Sequence, residues 1–500
     1  MSMELYGSSA TLTKSLGTAG VPTNTCVYFI GSAPSGDLNV AYTITSMTDA
    51  AVKLGISAGD GYTLTDACIA AFEIAGISQI ICIPVSHNQS PSDAELLGNA
   101  ALGTGVYAFE KQQQDAPTSV NLVCLPRVNP GAPLSAALGL CKLADGQIRS
   151  YMIYDMAMSN DDVNAAGYVI TANVVAGKTL ADEYASAVYG LVKTSGGYII
   201  SGAAVRACLM AKSDATWNAP ARVGGNIPVP AIIGSAHRHD EVIEYPAYNL
   251  SFTLNGAEQV GDHIPLYYTD PETSESAVLT KAVYDALIAD GYDLDPIYSE
   301  LTPIAFESGT NTAYFEYAET SVQITVGTSV AYGQLFKADS HEYTYSIMRI
   351  PRSSANELSA DGICCIRRRG SSYVTWGDHT SAFAGATVPD ELGRFENRIR
   401  MQCLIANRWV MKYGDVIDDP LTLQMRNDII NDNINYLNGL VAVGALIGTP
   451  TCEFLAEDNP MDNIVLGHFT WSIQTTETNP AKYINAKIAF STAGLQAYIA

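Results

Sequence analysis

The sequence predicts an α/β fold of mixed β-sheet and helices, interrupted by a β-rich insertion and bracketed by extended arms at both chain ends. Three observations point there. Between residues 26 and 85, short apolar runs alternate with helix-like segments that stop at glycine. From about Asp240 to Asn356 this texture gives way to crowded tyrosines and alternating Thr, Val and Ile, and it returns from Leu358. The two ends do not look like core: residues 1–22 are small and polar with no periodic apolar face, and residues 491–500 are apolar with almost no charge. The implied organisation is an arm over 1–22, a discontinuous core over 23–239 and 357–490, an outer insertion over 240–356, and an arm over 491–500.

In order, Cys26–Ile30 reads as a buried strand followed by the turn Gly31–Gly36. A phosphate-binding loop is disfavoured there. No Lys-Ser/Thr follows Gly36, and Pro34 lacks an amide proton. Tyr42–Thr45 reads as an edge strand, and Thr48–Leu54 as a helix ending at Gly55. Thr65–Ala75 reads as a second helix capped by Gly76, with Asp66 in its first turn, where the dipole favours a carboxylate. Ser78–Val85 and Leu122–Leu125 read as strands, Leu134–Leu143 as a helix and Arg149–Tyr154 as a strand. Asp155 falls at a strand's carboxyl end, where α/β sheets place functional groups. With no partner nearby in sequence, it reads as a loop cap before it reads as a catalytic group. Tyr198–Met210 is strand into helix.

Within the insertion, Ala277–Ala289 reads as one helix, and Ser321–Val326 and Tyr343–Ile350 as strands. Its tyrosines suit a rim facing solvent or a host. Beyond it, Gly362–Ile366 and Tyr373–Trp376 read as strands and Phe395–Tyr413 as a long helix. Asp419-Pro420 reads as an N-cap followed by Pro at the first helical position, opening a helix to about Leu437. One face of that helix is apolar. The other carries Gln424, Asn427, Asp428, Asn431, Asp432, Asn435 and Asn438, either a solvated face or a polar docking surface. Finally, Phe469, Trp471 and Ile473 alternate with polar residues, as do Ile484, Ala486, Ile488 and Phe490 across the turn Thr476–Pro480, predicting a hairpin.

The bulk numbers limit function. A net charge of −24 repels nucleic acid and anionic membranes, and Arg367-Arg368-Arg369 is too short a run to reverse it. That cluster reads as a salt-bridging strand end or a subunit contact. Charged residues are only 16% of the chain, so partners are expected to cover much of the surface. No run is long and apolar enough for a membrane span, and MSMELYGSSA lacks a signal peptide's pattern, so folding in the cytoplasm is expected. No triad, cofactor fingerprint or metal-ligand spacing appears, so no enzyme and no cofactor is expected. The ten cysteines read first as reduced thiols. The alternative is inter-subunit disulfides through Cys26, Cys364, Cys365 or Cys452, with the vicinal pair pointing to opposite faces of its strand so that one side faces a partner.

Seven segments occurring in order resemble the sheath proteins of contractile phage tails and related injection machines. They are CVYFIGSAPSGDLNVAYTITSMTDAAVKLG, PTSVNLVCLP, IRSYMIYD, YIISGAAVRACLMAKSDATWNAPA, ADGICCIRRRGSSYVTWGDHTSAF, NGLVAVGALIG and NPMDNIVLGHFTWSIQTTETNPAKYINAKIAF. The chain departs from that pattern at MSMELYGSSATLTKSL, where many members open with Pro-Gly-Val-Tyr, and at Asp378-His379, where Ala-Arg is usual before Thr380. The resemblance implies a subunit stacked in hexameric rings around a tail tube, in contact with baseplate and terminator proteins, in a virion tail assembled in the host cytoplasm. It implies arms that add strands to sheets of neighbouring subunits, here through Ile484, Ala486, Ile488, Phe490, Leu495 and Tyr498. Gln424, Asp428, Asn431, Asp432 and Asn435 are then the candidate tube-facing residues. A bacteriocin or other non-phage injection system is the alternative machine; the size of the insertion favours a phage.

Overall fold

The computed structural model describes residues 25–115, 118, 120–142, 148–297, 304–317, 326–384, 393–482 and 486. The chain divides into two compact units, one built from the stretch up to His239 together with that from Tyr345 onward, the other from Asp240–Thr344. The insertion thus closes at Thr344, not Asn356. Met348, Ile350, Ala355 and Leu358 pack in the core of the first unit.

That unit is built on a nine-stranded sheet. In chain order its strands are β1 (Thr25–Ser32), β2 (Tyr42–Ile44), β3 (Ile80–Ser86), β4 (Val120–Cys124), β5 (Tyr151–Asp155), β6 (Ala185–Tyr189), β7 (Pro228–Val229), β8 (Ile363–Arg369) and β9 (Ser372–Trp376). Across the sheet they run β2-β3-β1-β4-β5-β6-β8-β9-β7. The strands from β3 to β8 are parallel, and β2, β9 and β7 complete the edges in antiparallel sense. A parallel sheet is covered on both faces, which is why its central strands read as continuous apolar runs. In β1, Val27 and Phe29 join one core layer, while Tyr28 and Ile30 join the other.

Three helices pack on the first face. α1 (Met47–Leu54) starts at Ser46, whose hydroxyl accepts from the Asp49 amide, and ends at left-handed Gly55. α2 (Thr63–Cys68) passes directly into a π-helical turn over Ile69–Ala75, closed by Gly76, where the sequence suggested one regular helix. α3 (Gly202–Trp217) is rich in small residues and almost wholly buried along its first three turns. The end of β1 is shaped by packing. A Cβ on Gly31 would lie 2.1 Å from Thr63 Oγ1, the atom that accepts from the Ser32 amide at 2.8 Å.

The C-terminal part adds a layer to this unit: α4 (Glu396–Tyr413), α5 (Leu423–Ala442), β10 (Thr451–Glu453), α6 (Met461–Val465) and β11 (Ser472–Gln474). Met401, Leu404, Leu437 and Leu440 form its core with Val120 and Ala219. One expectation changes here. α5 opens at Thr422, whose hydroxyl accepts from the Met425 amide at 3.1 Å, so Asp419-Pro420 lies in the preceding loop. β11 pairs antiparallel with the upstream β10, Cys452 opposite Ile473, a neighbour the alternation does not name; apart from Ala486, the expected hairpin strand Ile484–Phe490 lies outside the described residues.

Among its described residues the second unit packs a five-stranded sheet and a three-stranded sheet with one helix, Lys281–Ala289, capped by the Thr280 hydroxyl. Its core holds Leu250, Phe252, Phe315, Tyr332 and Leu335. Tyr332 is 1% exposed, so the tyrosines are divided between core and surface, not confined to a rim.

Candidate assembly surface

The crevice at the carboxyl ends of the parallel strands, where an α/β enzyme would bind substrate, is filled by the chain's own polar groups. Asp155 accepts from the Arg127 amide (2.8 Å), the Ser201 hydroxyl (2.6 Å) and the Ala203 amide (2.9 Å), capping α3. Asp66 accepts from Arg127 Nε (2.6 Å) and Nη2 (2.8 Å) and from the Ser201 amide (2.7 Å). Burial pushes Asp66 up to about 6 against the pull of Arg127. The first-turn carboxylate expected from sequence is therefore a buried tie between α2, the loop after β4 and α3. Among the described residues no group of three or more His, Cys, Asp or Glu side chains is placed to hold a metal.

Two further buried ion pairs hold the C-terminal layer on α3. Arg206 Nη2 donates to both Glu396 oxygens at 2.9 Å, and Glu396 also accepts from the Ser186 hydroxyl at 2.8 Å. Burial opposes ionisation of Glu396, but the Arg206 charge and hydrogen bonds outweigh it and hold the carboxyl below its ordinary value. Arg400 pairs with Asp214, which also accepts from the Thr25 hydroxyl at 2.8 Å, at the first residue of β1. The junction between the two chain halves is thus electrostatic as well as apolar.

The outer face of this layer carries the residues singled out for a tube contact. Gln424, Asn431 and Asn435 are exposed and Asp428 is half-buried, accepting from Gln424 Nε2 at 2.8 Å. Asp432 departs from the set. It is buried and accepts from Arg408 (2.7 Å), Lys412 (2.6 Å) and the Tyr413 hydroxyl (2.7 Å), joining α4 to α5. Position 432 follows Met425 by seven residues and Ile429 by three, which puts it on the buried stripe of the helix and not on the opposite face.

Of the strand-addition residues, Ala486 is exposed. Ile484, Ile488, Phe490, Leu495 and Tyr498 lie outside the described residues, as do both proposed arms. The described chain runs toward them from β11. The sheet β10–β11 has two strands, and among the described residues no other strand pairs with either outer edge.

The disulfide candidates are mostly interior. Cys364, Cys365 and Cys452 are each 1% exposed, and only Cys26 is half-buried. Cys364 and Cys365 do point to opposite faces, but both faces are covered, so neither is turned to a partner. Burial pushes these two thiols up to about 12 and Cys452 up to about 11, far from the thiolate needed for exchange.

A cleft of about 1210 Å³ opens beside β8, β9 and the segment Thr478–Lys482. Arg222, Arg352, Arg367, Arg368 and Arg369 line it with Trp217 and Trp376. Arg367 lies 4.9 Å over the Trp376 ring. The sequence showed the triplet but not that the fold adds Arg222 and Arg352 from distant segments.

No family model and no curated protein matches the sequence. Solved structures do match the fold. A chain of the anti-feeding prophage (AFP) helical sheath in its contracted state aligns over 95% of this chain and 95% of its own, with a TM-score of 0.54 at 14% identity. A chain of the PVC sheath complex of an extracellular contractile injection system, also contracted, aligns over 95% and 94% with a TM-score of 0.54 at 11% identity. A chain of the six-fold symmetrised AFP baseplate gives 95%, 94%, 0.54 and 14%. The chain has the fold of contractile-sheath proteins.

Proposed function

We propose that this chain is the subunit of a contractile sheath, stacking as hexameric rings around a tail tube and contracting to drive the tube through a host envelope during genome delivery. The observation that carries the reading is the narrow β10–β11 sheet, set on a sheath fold just before the chain's last segment. A two-stranded ribbon is marginal alone, and strands added from neighbouring subunits complete it. Each added backbone hydrogen bond contributes roughly 0.5–1.5 kcal/mol net, so a short strand holds neighbours together while globular parts rotate. Contraction in this reading needs no nucleotide. The extended lattice is held by baseplate and tube and relaxes to a more compact one. The tail tube, baseplate and terminator are the expected partners, and the virion tail the expected location.

A second reading, the sheath of a non-phage injection system, is favoured by the similarity to AFP and PVC chains. Deletion of residues 491–500 tests the common core of both: assembly is lost while the monomer melts as before. Tubes formed by the truncated chain would refute strand addition.

A further inference from the structure

We propose that the arginine-lined cleft receives the acidic tip of a second copy of this chain, the segment Glu453–Leu466, in a head-to-tail contact. The inference rests on the sheath reading and deepens it by naming one joint between subunits.

The cleft is unusual for this molecule. Arg222, Arg352, Arg367, Arg368 and Arg369 converge on it, while the whole chain carries −24. Among the described residues none of the five meets a carboxylate. Their polar contacts go to Asn226, to the Gly370 carbonyl and to the Trp376 ring. The cleft's one lysine, Lys482, is already paired with Asp378. Five crowded guanidinium groups repel one another, and an acidic ligand removes that cost. Trp217, 45% exposed, and Trp376 give the same cleft an apolar floor.

The complementary surface is on the same chain. Residues 453–466 carry Glu453, Glu457, Asp458 and Asp462 and no lysine or arginine. Beside these charges Met461, Val465 and Leu466 stand 70%, 78% and 69% exposed. Methionine and branched aliphatic side chains pack well on indole rings, and an acidic rim answers an arginine rim. The tip cannot fill its own cleft. Phe454 sits against Arg426 near the start of α5, whereas Gly444, just past the end of α5, is on the cleft wall. At the rise of an α-helix these positions are about 27 Å apart. β10, β11 and the Asn459 side chain, which bonds the Leu455 and Thr470 carbonyls, fix the tip in place. Complementary patches at opposite ends of one element give a heterologous contact, which generates a closed ring or a helical stack.

The test is a charge swap read by electron microscopy and sedimentation of the full chain. Arg352→Glu/Arg368→Glu/Arg369→Glu reverses the exposed cleft rim, and Glu457→Lys/Asp458→Lys/Asp462→Lys reverses the tip. Each variant alone is expected to lower assembly at least tenfold with unchanged circular dichroism. Combining both sets in one chain is expected to restore it. Unchanged assembly of either single set, or no recovery in the combined chain, overturns the proposal. So does loss of heparin binding by the cleft variant with assembly intact, which would make the cleft a polyanion site. Wild-type chain that never self-associates would overturn the sheath reading itself, and this joint with it.

Discussion

Arg206 is 1% exposed and its partner Glu396 is fully buried, so the charge of each depends on the other. Replacing Arg206 by Met leaves a carboxylate in the core without its cation. We predict a loss of about 3–5 kcal/mol in urea unfolding, with the double variant Arg206→Met/Glu396→Leu recovering much of it. The buried histidines set a pH dependence of defined sign. Burial lowers His237 and His379 to about 4 from an ordinary 6.5, so both are neutral in the fold. The unfolded chain takes up these protons first, and the histidines' contribution is lost as pH falls from 6.5 toward 4. Asp66 and Asp214, raised to about 6, act in the opposite sense, the folded state being protonated first. The variant His379→Asn isolates one component. Its melting temperature should fall less between pH 7 and pH 4.5 than that of the parent. An equal fall would remove His379 from the account.

At the scale of elements, α5 tests how a single helix divides between core and surface. Asp432→Asn weakens three hydrogen bonds that tie α5 to α4, and we predict a cost of roughly 1.5–3 kcal/mol. The adjacent exposed Asn431→Ala should change stability by no more than about 0.5 kcal/mol, while weakening the proposed tube contact. Equal effects in urea melts would contradict this assignment. The same helix shows how far sequence reaches. The parallel core strands were legible because burial on both faces leaves continuous apolar runs such as Cys26–Ile30 and Gly362–Ile366. The start of α5 is ambiguous in sequence because Asp-Pro and Thr422 both offer plausible caps three residues apart, and in the structure Thr422 caps the helix whose Met425 and Ile429 pack with Tyr413. The pairing of β11 with β10 is not legible in sequence because strand pairing is a long-range property, and alternation in Phe469–Ile473 marks a face without naming a neighbour. Burial of Cys364 and Cys365 on both sides of β8 likewise follows from helices far away in sequence.

For the whole molecule, the sheath fold, the narrow β10–β11 sheet and the low proportion of charged residues, 16%, are consistent with a surface completed by other chains. The arginine-lined cleft and the acidic tip fit a molecule that joins copies of itself head to tail. The ion pairs Arg206–Glu396 and Arg400–Asp214 tie the C-terminal layer to α3, and on the proposed sheath reading contraction rotates subunits without unfolding them. Electron microscopy of the purified full-length chain at high concentration tests this most directly. The account predicts hollow helical tubes with six-fold symmetry. A folded protein that stays monomeric at every concentration and salt would contradict it.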